Sequence, residues 1–208
     1  MDCEIPDGDV LIHAGDFCGH GRMHEVVEFA EWMGALPHPH MLVTAGNHDR
    51  PVEENEPACR EVFEAQGIRL LIGERISIEG FNFFGSPYTP TFFNWFFMRD
   101  RGEPIRAEWR AIPPDADVVI THGPAYGHGD QAPPWQGSPP RQVGCFELLA
   151  RLRAVRPKFH VFGHIHGGYG VTISDEIPGT TFLNASVCTE SYLPRNAPHQ
   201  FTLTSGSP

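Results

Sequence analysis

Val10-Leu11-Ile12-His13-Ala14-Gly15-Asp16 is a short apolar run that stops at a glycine and delivers a carboxylate. The same construction recurs three times. Met41 to Thr44 leads through Ala45 into Gly46-Asn47-His48-Asp49, Val118 to Thr121 into His122-Gly123-Pro124, and Phe159 to Phe162 into Gly163-His164-Ile165-His166. Runs of this length, rich in Val, Ile and Phe and bounded by glycine or polar residues, predict β-strands. Between them lie helical patterns: Met23 to Met33 with apolar Val26, Val27, Ala30 and Met33, and Cys145 to Val155 with Leu148, Leu149 and Leu152. Strands alternating with helices predict a layered α/β fold. Tyr169 to Leu203 carries strand and turn signals with little helix, which predicts a mixed second sheet. Ligands placed just after strands suit this class, because α/β folds build their sites at the carboxyl ends of strands.

With 208 residues, the chain suits one domain, residues 1–208, rather than two. No apolar run approaches the roughly 20 residues that span a bilayer, and Met1 to Pro6 has no secretory-signal pattern, so a soluble, cytoplasmic protein is expected, with no membrane partner. Five cysteines lie far apart without a C-x-x-C pair, which suits reduced thiols. Acidic side chains outnumber basic ones 26 to 15, and a formal charge of -11 without a Lys/Arg run argues against binding duplex nucleic acid. Twelve histidines, several beside Gly, Asn or Asp, point instead to a metal site.

Each of the four blocks taken singly reads as a turn or a solvated polar pair. Jointly, they supply oxygen and imidazole donors directly after β-type runs, where side chains converge. Asp16 has two oxygens and can bridge two ions, and Asn47 offers a neutral carbonyl oxygen that adds no negative charge near an anionic substrate. His164 and His166 are two apart, so on an extended segment both face one side. Imidazoles so placed can serve two metals held about 3.5–4 Å apart. The glycines before each ligand are expected to relieve crowding where backbone nears the metals.

The ordered blocks Gly15-Asp16, Gly46-Asn47-His48-Asp49, Thr121-His122-Gly123-Pro124 and Gly163-His164-Ile165-His166 resemble the calcineurin-like metallophosphoesterase superfamily. Their wording, with Gly168-Tyr169-Gly170, is similar to the metallophosphoesterase-domain-containing, nucleotide-phosphodiesterase-like subgroup. The resemblance implies a layered β-sandwich flanked by helices. It implies two divalent ions (Mn, Fe, Zn, Co or Ni, with Mn favoured), Asp16 bridging, Asn47, His122 and His164 completing the second metal, and His166 on the first. His48 would be the acid or charge-stabilising donor and Asp49 its orienting partner. A metal-bound hydroxide would hydrolyse a small phosphoester or nucleotide, most naturally a phosphodiester and including cyclic nucleotides.

The superfamily's D-x-H block has no counterpart, since only fourteen residues precede Gly15. A missing first strand and an incomplete first-metal site are therefore expected. Asp2, Glu4, Asp7 and Asp9 are the nearby substitutes, each more simply a solvated turn residue. The rival reading is a nucleotide-binding regulatory pseudo-enzyme with one metal. Tyr126, His128 and Asp130 follow His122 closely and are candidate substrate contacts, in a Gly/Pro-rich stretch from Gly127 to Pro140 read as a surface loop. The aromatic run Phe92, Phe93, Trp95, Phe96 and Phe97 reads first as core and second as a stacking surface for a nucleobase.

Overall fold

The computed structural model describes residues 4–134 and 139–204. Four layers stack in the order helices, sheet, sheet, helices, and alternation along each strand explains why. The smaller sheet is parallel, in the order β1 (Val10–His13), β2 (His40–Val43), β3 (Ile68–Leu70). Leu11, Met41, Val43, Ile68 and Leu70 point to one face, where they pack on α1 (Met23–Gly34) and α3 (Glu56–Ala65) through Val26, Phe29, Ala30, Met33, Cys59 and Phe63. The short α2 (Arg50–Glu54) precedes α3. Val10, Ile12 and Leu42, of opposite parity, face the second sheet.

That second sheet has six strands in the order β12 (Gly170–Ile173), β13 (Thr181–Asn184), β11 (Phe159–Phe162), β8 (Val118–Thr121), β5 (Phe81–Ser86), β4 (Glu74–Ile78). Its inner four strands are parallel and both edge strands antiparallel. Phe83, Val118, Ile120, Val161 and Leu183 fill the space between the sheets. Phe84, Val119, Phe162 and Phe182 point the other way, onto α4 (Glu103–Trp109) and α5 (Phe146–Val155). The layered sandwich and its mixed sheet are as expected. Two small strand pairs decorate it: β6 (Thr89–Pro90) with β7 (Met98–Arg99), and β9 (Gln131–Ala132) with β10 (Arg141–Gln142), so the Gly/Pro-rich stretch is partly paired; its residues 135–138 lie outside the described ones.

Local chemistry sets the element ends. Arg22 starts α1 without a side-chain cap bond, and Glu25 compensates by accepting from the amides of Gly19, His20 and Arg22. Arg156 ends α5 in the left-handed conformation, at φ 55°. Because β1, β2, β8 and β11 are all parallel within their sheets, their carboxyl ends open on one rim, and the four chemistry-bearing loops meet there. β1 is the edge of the smaller sheet, and all four of its residues are half-buried, whereas three of the four in β2 are buried.

Candidate metal centre

Asp16 sits at φ 60°, a left-handed conformation uncommon for a residue with a side chain, immediately after Gly15 at φ 94°. A Cβ on Gly15 would lie 2.6 Å from the carbonyl oxygen of Ala45, so only glycine lets the two loops approach this closely. Gly46 is crowded in the same way. A Cβ there would overlap Asp16 Oδ1 and come within 2.6 Å of the His122 ring. Gly163 differs, since the nearest atom to its Cβ position is Ser186 Oγ at 3.6 Å, an ordinary contact. The expected crowding thus holds at Gly15 and Gly46 and is absent at Gly163.

Around His122 the donors converge. Its Nδ1 lies 2.8 Å from the carbonyl oxygen of Ala14, which can only accept, so Nδ1 carries hydrogen and donates. In the neutral ring Nε2 is then a bare lone pair. It faces Asp16 Oδ2 at 3.2 Å and Asn47 Oδ1 at 3.0 Å, two more lone-pair atoms. The His164 ring lies 4.9 Å from that of His122, and ligand atoms of Asp16, His122 and His164 all fall within 4.8 Å of one another. Three or four electron-rich atoms turned toward one point without a hydrogen between them call for a cation. A proton is drawn to the same point: burial lowers the His122 pKa, but the Asp16 charge and hydrogen bond outweigh it and raise it overall. Burial likewise opposes ionisation of Asp16, yet His122, and more weakly His48 and His164, hold its carboxyl far below the usual range. At His164 burial, aided by the neighbouring His122, outweighs the attraction of Asp16 and pushes the pKa down to about 3, leaving a neutral imidazole suited to a metal. A divalent ion fits this donor set, with Asp16, Asn47, His122 and His164 as its holders.

The remaining site residues are placed as follows. His48 is half-buried beside the cluster; its amide donates to Asp16 Oδ1 at 2.9 Å, and its ring stands 4.5 Å from that of Trp95. Asp49 was expected to orient His48. Its fully buried carboxylate accepts instead from the amides of Gly46 (2.7 Å), Asp16 (2.8 Å) and Cys18 (2.9 Å), tying the first loop to the second. Burial and the Asp16 charge push its carboxyl up to about 7 against those donors. His166 was expected to share a face with His164 on an extended segment. The segment is not extended: His164 has φ 68°, and His166 opens the 3-10 turn His166–Gly168, with its Nδ1 donating to the Thr189 carbonyl oxygen at 3.0 Å. That bond leaves His166 Nε2 free to accept or ligate, although His166 is not in the group of ligand atoms within 4.8 Å. Glu4, Asp7 and Asp9 are exposed, and Asp2 lies outside the described residues.

Tyr126, His128 and Asp130 belong to different surroundings. Tyr126 stacks on Phe146 at 3.7 Å and His128 on Phe182 at 3.7 Å, while buried Asp130 accepts from the amides of Gly127 and Gly144. Tyr126 and His128 line a separate cleft of about 350 Å3 with Arg153 and Glu176. The aromatic run divides too: Phe97 is core at 3% exposure, Phe92 lies 5.2 Å from the His164 ring, and Phe93 and Trp95 are 71% and 40% exposed. Sequence reasoning missed Asn184, whose buried amide donates to the carbonyls of Ile165 and Gly129 and so holds the His164 loop; a lone Asn at a strand end gives no signal. It also missed His160, which is fully buried behind Thr121.

The calcineurin-like phosphoesterase model matches residues 2–168. Human metallophosphoesterase domain-containing protein 1 is 38% identical over 94% of this chain and 64% of its own length, so the chain spans just under two thirds of that relative. A UPF0046 protein of Caenorhabditis elegans is 39% identical over 88% of this chain and 69% of its own. The phosphopantetheinyl hydrolase of Mycobacterium tuberculosis superposes with a TM-score of 0.59 over 91% of this chain and 83% of its own, and at 16% identity the likeness is one of fold. Among the described residues no helix is long and apolar enough to cross a membrane. With the family match covering all four donor loops, the chain belongs to the calcineurin-like phosphoesterase family.

Proposed function

We propose that the protein hydrolyses phosphodiesters of small phosphoester or nucleotide substrates, cyclic nucleotides included, at a centre held by Asp16, Asn47, His122 and His164. The observation that carries this reading is the convergence of His122 Nε2 on Asp16 Oδ2 at 3.2 Å and Asn47 Oδ1 at 3.0 Å, with His164 in the same group. A divalent cation there supplies a Lewis acid for the phosphoryl oxygens and a nucleophile near neutral pH. Asp16 provides the anionic donor, while Asn47 adds an oxygen without adding charge that would repel phosphate. Asp49 fixes the distance between the Asp16 and Asn47 loops through three amide bonds. His48, beside the cluster and outside the ligand set, donates a proton or hydrogen bond to the leaving oxygen.

The choice of a diester over a monoester rests on charge. The side chains acting most strongly on Asp16 are the imidazoles of His122, His48 and His164, and aromatic rings lie against His48 and His164. A singly charged diester suits such surroundings better than a dianion, which favours Arg or Lys clamps. The one-metal regulatory reading has its own support, because the group within 4.8 Å holds donors for one ion. One measurement separates the two: the Mn-loaded protein should bind one ion tightly and hydrolyse bis(p-nitrophenyl) phosphate, with turnover lost in Asp16→Asn. A tightly loaded protein without turnover would leave the regulatory reading standing.

A further inference from the structure

The segment from Thr91 to Phe97, between β6 and β7, buries Phe97 in the core and holds Phe93 and Trp95 out of it. Its ends are pinned: the Thr91 amide donates to the Arg99 carbonyl at 2.9 Å, the Thr89 amide to the Phe97 carbonyl at 3.0 Å, and the Phe97 amide to Glu53 Oε1 at 2.9 Å. The Phe96 amide reaches the carbonyl of Asn47, tying the segment to the metal loop itself. Within it, Phe93 and Phe97 adopt φ 47° and 54°. Positive φ is a genuine outlier for bulky residues and persists only where surrounding structure over-determines it, typically at ligand sites. The result is not a buried cluster. Trp95 stays 40% exposed with its ring 4.5 Å from His48, and half-buried Phe92 lies 5.2 Å from His164, with the 71% exposed Phe93 edge-on to it at 6.0 Å.

We infer that Phe92 and Trp95 form an aromatic surface beside the metal centre that stacks a planar group, a nucleobase or an aryl ring, carried by the phosphoester. The inference deepens the proposed phosphodiesterase reading and rests on it for the position of the phosphorus. The two rings lie against the imidazoles of His48 and His164, so a group attached to the phosphorus through a sugar or an oxygen falls within their reach. Flat, polarisable faces favour planar π systems, and stacking on such rings is commonly worth roughly ten- to a hundredfold in affinity per base while tolerating any base. A net charge of -11 disfavours a polyanionic strand, which leaves a small nucleotide or aryl ester as the occupant.

The test uses the Mn-loaded full chain and three monophosphate products: a nucleoside 5′-monophosphate, phenyl phosphate and base-free ribose 5-phosphate. Binding is read by calorimetry and by quenching of tryptophan fluorescence. The nucleotide should bind about tenfold or more tighter than ribose 5-phosphate. Trp95→Leu and Phe92→Leu should each reduce that ratio about tenfold without changing metal content, and Trp95→Phe, which keeps a ring, should preserve most of it. Phenyl phosphate following the nucleotide through the variants marks any planar ring as the ligand; nucleotide alone marks the base. Equal binding of nucleotide and ribose phosphate by the wild type, or a loss of both ligands in step in the Leu variants, would overturn the aromatic surface. Failure of the wild type to hydrolyse methyl diesters of either the nucleotide or the sugar phosphate would overturn the phosphodiesterase reading instead, so the two failures are distinct.

Discussion

Gly15-Asp16 and Gly129-Asp130 are the same dipeptide in two loops of one molecule, and they do opposite things. Asp130 is 2% exposed, and its Oδ2 is satisfied by the amides of Gly127 and Gly144. Asp16 also takes one amide, from His48, but its Oδ2 is turned toward His122 Nε2, which the oxygen of Asn47 faces as well. The neighbouring histidines differ in the same sense: His128 lies flat on Phe182, whereas His122 is fixed by Ala14 so that its free nitrogen points at oxygens. Residue type does not distinguish structure from function here. What does is whether the polar atoms around a group complement it or turn several electron-rich atoms toward one point.

Substituting the two aspartates gives the sharpest contrast. Asp16→Asn removes the anionic ligand, and turnover should fall by about a thousandfold or more as metal is lost, because the cation supplies several kcal/mol of transition-state stabilisation. Asp130→Ala should keep metal content and cost about 1–3 kcal/mol of stability, chiefly by leaving the buried Gly144 amide unpaired. Metal analysis with thermal unfolding of both variants checks this; loss of metal in Asp130→Ala would erase the distinction.

The glycines extend the comparison from side chains to backbone. Gly46→Ala should lower metal affinity at least tenfold, since the added methyl meets Asp16 and His122. Gly163→Ala, with 3.6 Å of room, should bind metal within a factor of about three of the wild type. Competition against a fluorescent chelator reads both. The histidines come next: His48→Ala should reduce turnover about a hundredfold, in the range of a lost acid or hydrogen-bond donor, with metal content unchanged. Metal lost in step with activity would place His48 among the ligands.

Much of this architecture was legible in the sequence, for identifiable reasons. β1, β2, β8 and β11 lie within a residue of their expected bounds because each is a short apolar run cut off by glycine or a polar residue, and α1 and α5 because their apolar stripes repeat at helical spacing. The hairpin of β4 and β5 was not read, although Glu79 and Gly80, both at positive φ, form its turn. α3 and α4 were missed despite a proline in each first turn, because neither carries a long apolar stripe. The expected common face of His164 and His166 failed for one reason: period-two reasoning assumed a strand, and a positive φ at His164 followed by a 3-10 turn ended it. Exposure was equally hidden. Five aromatics in six residues look the same in sequence whether they fill a core, as Phe97 does, or stand out of it, as Trp95 does.

The smallest expected effect concerns His160, a histidine of the core rather than of the site. Thr121 Oγ1 donates to the Gly123 carbonyl at 2.7 Å, so toward His160 it must accept, and His160 Nε2 carries the hydrogen at 2.8 Å. The opposite nitrogen, Nδ1, is buried without a partner among the described residues. A proton there would place an unpaired charge against Phe162 and Phe182, and burial, aided slightly by His128, pushes the pKa down to about 3. The native state therefore holds this imidazole neutral, while the unfolded chain protonates it near 6.5. Between those values the unfolded state binds more protons, so the stability is fully present above pH 6.5 and is lost as pH falls toward 3. At pH 5 the loss from this one residue is about 2 kcal/mol. His13 and His164, also held low by burial, contribute in the same window, so the informative quantity is the difference from His160→Gln, which retains a donor toward Thr121 and cannot titrate. Urea unfolding of the two proteins at pH 7.5 and pH 5 should show the wild type losing about 2 kcal/mol more than the variant; parallel losses would mean that His160 is protonated within the fold.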